Sequence, residues 1–239
     1  MSPGMKQIKA LVFDVFGTVV DWRGSIIREV RASWPQVDAA AFADAWRAGY
    51  VPAMDRARRG EIAWTNIDGL HRTILDAIRP RFGLGDLSEP TVDALNRVWH
   101  RLNAWPDVVG GLQRLKAKHV ISTLSNGNIA LLVDMAKHAG LPWDCVLSAE
   151  LFQHYKPDPE VYQGAAQLLG VERHELLMVA AHPSDLRGAQ RAGLPTALVR
   201  RPHEYGPNPA GAPPPDTLPD DRFDLVASDF VDLAQRLRA

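Results

Sequence analysis

The sequence predicts an α/β fold in which helices cover both faces of a parallel sheet and an all-helical domain is inserted after the first strand. Beyond residue 106, short apolar runs alternate with amphipathic stretches, which is typical of parallel strands joined by helical crossovers. Between residues 24 and 103 the apolar residues follow helical spacing, and no run there predicts a strand. We therefore expect a core from residues 1–20 and 104–239 and a helical domain from residues 21–103.

The first predicted strand is the apolar run at residues 8–14, which ends in a carboxylate, Asp14, just before a turn at Gly17. The inserted domain follows. Its apolar residues recur three or four positions apart and so predict helices that each bury one face. These apolar sets are Ile26, Ile27, Val30 and Trp34; Ala41, Phe42, Ala45 and Trp46; Ile67, Leu70, Ile74, Leu75 and Ile78; and Val92, Leu95, Val98, Trp99 and Leu102.

The remaining elements predict a parallel sheet, because strands and helices alternate. The predicted strands cover residues 119–124, 146–147, 176–181, 196–199 and 223–227, and the predicted helices cover residues 128–138, 159–169, 183–192 and 230–237. The proline-rich segment 201–219 is expected to be a surface loop, because a strand and a helix follow it.

The composition is that of an ordinary globular protein, with 46% apolar and 23% charged residues among 239 and a formal net charge of -1. This balance gives no electrostatic reason to expect binding to nucleic acid or to an anionic membrane. No apolar run approaches the roughly 20 residues of a membrane-spanning helix, and the first residues lack the apolar region of a secretory signal. A single cysteine fits a reducing compartment, so we expect a cytoplasmic protein.

Polar side chains follow several of the predicted strands. In an open parallel sheet the carboxyl ends of the strands border the ligand site, so these side chains are expected to share one crevice. Each alone is more typical of a turn, a helix cap or a solvated surface, and only the set is specific. The set is Asp14, Ser125, Asn126, Lys156, His182 and Asp185.

Four motifs carry a resemblance to a known superfamily. They are Asp14-Val-Phe-Gly-Thr18, Leu124-Ser-Asn-Gly-Asn128, Tyr155-Lys-Pro-Asp-Pro159 and Val179-Ala-Ala-His-Pro-Ser-Asp185. In this order, and over essentially the whole chain, they resemble the haloacid dehalogenase superfamily, and within it the L-2-haloacid dehalogenases. The resemblance implies a Rossmann-like core with a four-helix-type cap, usually in a homodimer.

The superfamily also contains magnesium-dependent phosphatases, which usually carry a second aspartate two positions after the nucleophile to protonate the leaving group. Here that position is Phe16, which has no proton to donate. The fourth motif offers Ala180, Ala181 and His182 where those enzymes hold Mg²⁺ with an acid, and Mg²⁺ prefers hard oxygen ligands. A halide leaves without protonation and without a metal. We therefore expect no metal or cofactor, with a magnesium phosphatase acting on a small phosphorylated metabolite as the alternative.

The resemblance implies hydrolysis of a short 2-haloacid to a 2-hydroxy acid by covalent catalysis. Asp14 displaces the halide to form an ester, and water then attacks the aspartyl carbonyl. Lys156 keeps the Asp14 carboxylate oriented and ionised. Thr18 and Ser125 supply hydroxyl donors to the nucleophile or to the substrate carboxylate. A non-catalytic carboxylate-binding protein would have no chemical reason to keep this set.

The resemblance also implies a halide and substrate site. Arg47 matches the arginine that the family uses against the halogen and the substrate carboxylate, a role that suits a weakly hydrated guanidinium. Asn126 shares the halide. Phe16 stands in place of the usual tyrosine, and Trp64 and Tyr50 supply an apolar wall.

Activation of the hydrolytic water stays open at the level of sequence. Asp185 matches the family acid that positions or deprotonates this water. His182 stands where better-known members carry asparagine, and Ala180 where they carry serine. His182 is either itself a base, with a pKa suited to neutral pH, or a hydrogen-bond partner of Asp185 or Lys156.

Overall fold

The first apolar run of the chain forms a buried central strand. The computed structural model describes residues 7–206 and 222–239. Its strands are, in chain order, β1 (Ala10–Phe13), β2 (Val20–Asp21), β3 (Asn103–Ala104), β4 (Val120–Ser125), β5 (Cys145–Ser148), β6 (Leu176–Ala180), β7 (Thr196–Val199) and β8 (Leu225–Ala227). All four residues of β1 are buried, as expected for a strand with sheet neighbours on both sides and helices over both faces.

Within the described residues, six strands form a parallel sheet in the order β5-β4-β1-β6-β7-β8. Because β4 and β6 flank β1, the chain segments that follow these three strands leave the sheet at the same edge. The predicted α/β fold is confirmed. The predicted strand at 196–199 has the observed bounds of β7, and the ends of the other predicted strands differ from the observed ends by no more than two residues.

Helices cover both faces of the sheet and fill the insertion. They are α1 (Trp22–Ser33), α2 (Ala39–Ala48), α3 (Tyr50–Arg58), α4 (Ile67–Ile78), α5 (Glu89–Asn96), α6 (Val108–Lys116), α7 (Ile129–Ala139), α8 (Pro159–Leu169), α9 (Pro183–Arg191) and α10 (Phe230–Arg236). Shorter 3-10 helices lie at Arg79–Phe82, Arg97–Arg101, Ala149–Leu151 and Arg173–Glu175. The bounds of α8 are those predicted from the sequence.

The insertion holds α1 to α5 and is closed by a short ribbon at its base. In this ribbon β2 pairs antiparallel with β3, with Val20 opposite Ala104 and Asp21 opposite Asn103. The sequence predicts no strand between residues 24 and 103. This prediction is wrong at Asn103, which belongs to β3. Two-residue strands are too short to show the alternating pattern by which strands are predicted.

Two helices, α3 and α6, were not predicted. In α6 the two glycines at 110 and 111 lower helix propensity. The structure gives a reason for one of them, since a Cβ on Gly111 would lie 2.5 Å from the Cβ of Phe230. The glycine therefore allows α6 to pack closely against α10.

One hydrophobic core runs from a face of the sheet into the inserted helices. The ring of Phe16, just after β1, lies edge-on to Trp99 at 5.6 Å. Trp99 in turn stacks on Trp22 at 6.2 Å and meets Trp46 edge-on at 5.6 Å. These fully or nearly fully buried rings join the two parts of the chain, so the segment after β1 is held in place from both sides.

None of the helices in the described parts of the chain is both long and apolar enough to cross a membrane.

Candidate active site

Asp14 lies at the carboxyl end of β1, where its backbone continues the sheet and its side chain faces the crevice. Its N–H donates to the carbonyl of Val179 at 3.0 Å. The residue is 8% exposed, so its carboxylate depends on protein donors rather than on water. Thr18 donates to Oδ2 at 2.7 Å and Lys156 donates to Oδ1 at 3.1 Å.

The turn after Asp14 orients the Thr18 hydroxyl. Gly17 has a φ of +83°, a conformation that glycine adopts without steric cost, and it reverses the chain so that Thr18 faces back toward Asp14. The backbone N–H of Ala181 donates to Thr18 Oγ1 at 2.9 Å. Because this bond occupies the oxygen as an acceptor, the hydroxyl proton is directed to Asp14 Oδ2.

Lys156 lies between two carboxylates. Its Nζ is 2.5 Å from Asp185 Oδ2 and 3.1 Å from Asp14 Oδ1, and its side chain is 5% exposed. The other oxygen of Asp185 accepts from the Tyr162 hydroxyl at 2.6 Å. Tyr162 reaches this position because α8 packs closely on α9, where a Cβ on Gly188 would lie 2.6 Å from the tyrosine oxygen.

These contacts set the two carboxylates to different proton affinities. Burial raises the pKa of Asp14, but Lys156, His182 and Thr18 outweigh it and hold that pKa well below its usual range. Burial and the charge of Asp14 raise the pKa of Asp185 despite the opposing charge of Lys156. Asp14 is therefore the more acidic of the two and a nucleophile candidate, and Asp185 is the better proton acceptor.

His182, the residue before α9, also lies between two carboxylates. Its Nδ1 is 3.0 Å from Asp14 Oδ2, and its Nε2 is 3.0 Å from Glu204 Oε2. Burial lowers the pKa of His182, but the charge of Glu204 and hydrogen bonds to both carboxylates raise it well above 6.5.

The segment after β4 builds the far wall of the crevice. Ser125 Oγ accepts from the Gly127 N–H at 3.1 Å, so its observed contact shapes the turn rather than Asp14. Asn126 Oδ1 accepts from the Lys156 N–H at 2.8 Å, and its Nδ2 lies 3.3 Å from the sulfur of Met54 in α3. Asn126 therefore connects the lysine loop to the inserted helices.

Arg47 presents an unsatisfied donor from α2. Its guanidinium carbon lies 4.3 Å from the ring centre of Tyr50 and 5.5 Å from that of Trp22. Arg47 Nη1 is buried and has no hydrogen-bond partner among the described residues. A buried cationic donor of this kind is costly unless an anion binds it, so its chemistry fits a halide or a carboxylate.

Aromatic rings enclose the space next to Arg47. Phe16 lies 6.3 Å from Tyr50. Burial raises the pKa of Tyr50 to about 12, so this hydroxyl stays protonated. His71, which the sequence did not indicate, stacks on Trp99 at 4.1 Å. Burial and the charge of Arg47 lower the pKa of His71 to about 3, so a neutral ring completes this wall.

Trp64 lies on the lysine side of the crevice. It is half-buried, and its observed ring contact is a stack on Tyr155 at 6.1 Å. The Tyr155 hydroxyl donates to the carbonyl of Thr65, which ties this loop of the insertion to the residue before Lys156. Trp64 therefore lies against the segment that carries Lys156, while Phe16 and Tyr50 lie on the side of Arg47.

Glu204 is the main residue of this crevice that the sequence did not indicate. It belongs to the proline-rich segment that was expected to be a surface loop, but it is 4% exposed. Arg201 in the same segment donates to the carbonyl of Thr18 at 2.9 Å and pairs with Asp107 at 2.8 Å. Residues 201–206 form no helix or strand, and Pro202 and His203 are exposed as a surface loop predicts, but Glu204 is buried and the segment turns back over the site. Residues 207–221 lie outside the described parts.

No group of three or more His, Cys, Asp and Glu side chains suited to a metal ion occurs within residues 7–206 and 222–239. The position between Asp14 and Asp185 is taken by the Lys156 ammonium group.

Comparisons with known proteins place the chain in a family. The family model described as haloacid dehalogenase-like hydrolase matches residues 8–193. The (S)-2-haloacid dehalogenase 4A of Burkholderia cepacia is 31% identical over 83% of this chain and 87% of its own length. The crystal structure of the L-2-haloacid dehalogenase PA0810 aligns with a TM-score of 0.90 and 46% identity, covering 96% of this chain and 99% of that one. That of the defluorinating L-2-haloacid dehalogenase Rha0230 aligns with a TM-score of 0.92 and 43% identity, covering 100% and 98%. The chain belongs to the haloacid dehalogenase-like hydrolases.

Proposed function

We propose that this chain hydrolyses short 2-haloacids, of the haloacetate and L-2-halopropionate type, to 2-hydroxy acids through an ester on Asp14 and without a metal. The observation that carries the proposal is the buried Asp14 carboxylate, held ionised by Lys156 and Thr18, with Phe16 where a leaving-group acid would stand. Relatives named as (S)-2-haloacid and L-2-haloacid dehalogenases support the substrate class.

In the first step an Asp14 oxygen attacks the carbon that bears the halogen, and the carbon–halogen bond breaks. The halide leaves as an anion toward Arg47, whose Nη1 is a free buried donor, and toward the Asn126 amide. Phe16, Tyr50 and Trp64 keep water away from it, which strengthens the ionic contacts. Ser125 and the backbone N–H groups that follow it bind the substrate carboxylate.

In the second step water attacks the carbonyl carbon of the Asp14 ester. Asp185 accepts a proton from this water, a role that its raised pKa suits. The bond between that carbon and the ester oxygen breaks, and the 2-hydroxy acid leaves with one inversion at its chiral carbon. General-base assistance of this kind typically accelerates a step by about 100–10,000-fold.

We further propose that residues 1–20 and 104–239 form the catalytic core and residues 21–103 the cap. The insertion, which supplies Arg47 and Tyr50 from its helices and Trp64 from a loop, supports this division. A cytoplasmic location, supported by the single cysteine, and a homodimer, supported by the family resemblance, belong to the same proposal. Light scattering of the purified protein tests the homodimer.

The deciding experiment is detection of free halide from chloroacetate and L-2-chloropropionate, with and without EDTA. We expect halide release from both that EDTA leaves unchanged, lactate of the D configuration from the second, and no release by Asp14→Asn. If both acids are inert while p-nitrophenyl phosphate is hydrolysed only with added Mg²⁺, the chain is a phosphatase instead.

A further inference from the structure

Glu204 and His182 form a buried acid–imidazole pair directly behind Asp14. Both carboxylate oxygens of Glu204 lie within 3.1 Å of His182 Nε2, while His182 Nδ1 lies 3.0 Å from Asp14 Oδ2. The three groups thus form a continuous line from the 201–206 segment to the nucleophile. The chemistry proposed above uses Asp14 and Asp185 and leaves this line without a function.

Glu204 packs closely against the turn at Gly17 that follows Asp14. Trp22 Nε1 donates to Glu204 Oε1 at 3.1 Å. The same oxygen would lie 2.2 Å from a Cβ on Gly17, so only a glycine there leaves room for the carboxylate. A buried carboxylate is costly without a cationic partner, and the facing partner here is His182.

The contacts with Glu204 and Asp14 influence the protonation state of His182. Each ring nitrogen of His182 faces a carboxylate oxygen, which only accepts when ionised, and the charge of Glu204 and hydrogen bonds to both carboxylates raise the pKa of His182 against the effect of burial. This arrangement favours an imidazolium. An imidazolium donates from both nitrogens and cannot accept a proton. The sequence left open a general base or a hydrogen-bond partner of Asp185 or Lys156. The described contacts of His182 are instead with Asp14 and Glu204, and in the protonated ring they are donations to both carboxylates rather than the acceptance that a general base needs.

The donors to Asp14 are divided unequally between its oxygens. Oδ2 accepts from Thr18 at 2.7 Å and from His182 at 3.0 Å, whereas Oδ1 accepts from Lys156 alone at 3.1 Å among the described residues. The oxygen with one donor is the freer nucleophile. The oxygen with two donors stays as the carbonyl oxygen of the ester and receives the negative charge when water adds.

We propose that Glu204 is a positioning residue that holds His182 as a cationic donor, so that His182 and Thr18 stabilise the oxyanion on Asp14 Oδ2 during ester hydrolysis. The inference rests on the proposed ester mechanism. Water adds to Cγ and gives one proton to Asp185. The Cγ–Oδ1 bond then breaks, and the departing alkoxide takes that proton. The remaining water proton goes to solvent as Asp14 ionises again.

The proposal predicts that Glu204 acts on the second chemical step. Preorganised donors at an oxyanion typically contribute about 100–1,000-fold. Glu204→Gln leaves the side chain in place but removes its charge, and we expect ester hydrolysis to slow by at least about 10-fold. The burst of halide release in the first turnover is expected to stay within about 3-fold of wild type, because Lys156 and Arg47 are unchanged.

The test is quenched single-turnover analysis with chloroacetate, which follows halide and, by intact mass, the ester on Asp14. We expect the ester to accumulate in Glu204→Gln and not in wild type, and Glu204→Asp, which keeps the charge, to recover at least part of the rate. Glu175→Gln is the matched control. Glu175 lies just before β6, at the end of the strand opposite to His182, and its side chain pairs with that of Lys9. The variant should behave as wild type.

The pH dependence of ester hydrolysis separates positioning from packing. Without the Glu204 charge the pKa of His182 falls, so the rate in Glu204→Gln should drop as pH rises through neutrality, while wild type stays level there. The charged and titratable groups around His182 and its two partners are Asp14, Glu204, Tyr205, Arg47 and Lys156.

Two results overturn the proposal. One is an equal loss of the halide burst and of ester decay in a folded Glu204→Gln. The other is an ester that decays at the wild-type rate in both Glu204→Gln and Glu204→Asp. If Glu204→Gln does not fold, His182→Gln decides: the ester should accumulate after a normal halide burst, and decay of the ester at the wild-type rate would overturn the proposal. Absence of a halide burst in wild type would instead count against the proposed function itself.

Discussion

Lys156 and Asp14 form a buried ion pair in which Nζ lies 3.1 Å from Oδ1, with side chains 5% and 11% exposed. The same ammonium group lies 2.5 Å from Asp185 Oδ2, so one cation serves two acids that come from neighbouring strand ends. A buried charge that loses its partner is far more costly than a pair at the surface. The crevice therefore depends on this lysine both for charge balance and for the ionised state of Asp14.

Replacing Lys156 with methionine tests this dependence. Without the cation, burial and mutual repulsion raise the pKa values of Asp14 and Asp185, so the nucleophile is partly protonated. We expect halide release to fall at least about 100-fold and the free energy of unfolding to fall by about 3–5 kcal/mol, measured by urea denaturation.

Lys116→Met is the matched control for that variant. Lys116 pairs with Asp144 at 2.7 Å, but the two side chains are 39% and 32% exposed. Exposed pairs contribute about 1 kcal/mol or less, so stability should change little and activity not at all. Wild-type turnover in Lys156→Met would contradict the role assigned to the pair.

Thr18→Val removes one hydroxyl that makes two hydrogen bonds. The variant loses the donor to Asp14 Oδ2 and leaves the Ala181 N–H without its acceptor. An unsatisfied buried donor costs about 1–3 kcal/mol of stability, and a lost bond to a charged group costs about 1.5–3 kcal/mol, which corresponds to a rate loss of about 10–100-fold. Thr18→Ser keeps the hydroxyl and should stay within a few-fold of wild type. Equal halide release by the two variants would show that the hydroxyl has no part in the reaction.

Replacing Arg47 should reduce activity strongly while changing the free energy of unfolding little. Its buried Nη1 has no partner among the described residues, so Arg47→Met removes an unsatisfied donor while it keeps the length of the side chain. We expect kcat/KM for chloroacetate to fall at least about 100-fold, because the halide loses its cation. The free energy of unfolding should change by no more than about 1 kcal/mol, because removal of an unsatisfied buried donor, which costs about 1–3 kcal/mol, offsets the lost contact with the Tyr50 ring, which contributes about 2 kcal/mol when desolvated.

Arg23→Met is the comparison for Arg47. Arg23 makes a bidentate pair with Asp44, at 2.7 and 2.8 Å. This variant should lose about 1 kcal/mol of stability and keep its activity. A large loss of stability in Arg47→Met would indicate that its guanidinium is satisfied in the free enzyme.

The sequence predicted the parts of the crevice that follow from strand order. Asp14, Lys156 and Asp185 come together because parallel strands place their carboxyl ends at one edge, a rule that needs no knowledge of side-chain packing. The predicted bounds of α8 hold for a local reason: Pro159 suits the first helical position, and Gly170 at φ +63° ends the helix.

What the sequence missed depends on long-range packing. Glu204 lies in a segment whose prolines predicted an exposed loop, and nothing in its local spacing indicated that this segment turns back over Gly17. The proton state of His182 was left open for the same reason, because it is set by a carboxylate 22 positions away. A single buried charged residue in a loop leaves no periodic pattern in the sequence, whereas the buried face of a helix does.

The contacts of His100 link the inserted helices to the core, and we expect their contribution to stability to depend on pH. Its Nε2 lies 3.0 Å from Asp68 in α4, and its Nδ1 lies 2.8 Å from Asp134 in α7. Burial lowers the pKa of His100, but hydrogen bonds and charges from both aspartates outweigh burial and raise the pKa above its ordinary 6.5. A raised folded-state pKa stabilises the protein fully below the unfolded value of about 6.5, and this contribution is lost as pH rises through the folded value.

The measurement is the free energy of unfolding of wild type and His100→Gln at pH 6 and pH 9. We expect the difference between the two proteins to be larger at pH 6. His138→Gln is the control, because this exposed histidine contacts the uncharged Asn103 side chain at 3.1 Å. A difference that does not change with pH would show that His100 is uncharged in the contact.

Substitutions at two glycines with positive φ distinguish backbone strain from steric conflict. Gly17 has φ +83° and Gly60 has φ +70°, so alanine is strained at either position by about 1–2 kcal/mol. A Cβ on Gly60 meets nothing within 4 Å, whereas a Cβ on Gly17 would lie 2.2 Å from Glu204 Oε1. Gly60→Ala should therefore lose about 1 kcal/mol of stability and keep full activity.

Gly17→Ala should lose more, because the new methyl group must displace the Glu204 carboxylate from His182. We expect the free energy of unfolding to fall at least about 1 kcal/mol further than in Gly60→Ala, since a displaced buried carboxylate loses its hydrogen bonds. Intact mass should show the ester of Asp14 accumulating, as in Glu204→Gln. If Gly17→Ala and Gly60→Ala prove equally stable and equally active, the carboxylate is free to move without consequence, and its contact with the nucleophile turn contributes nothing to the site.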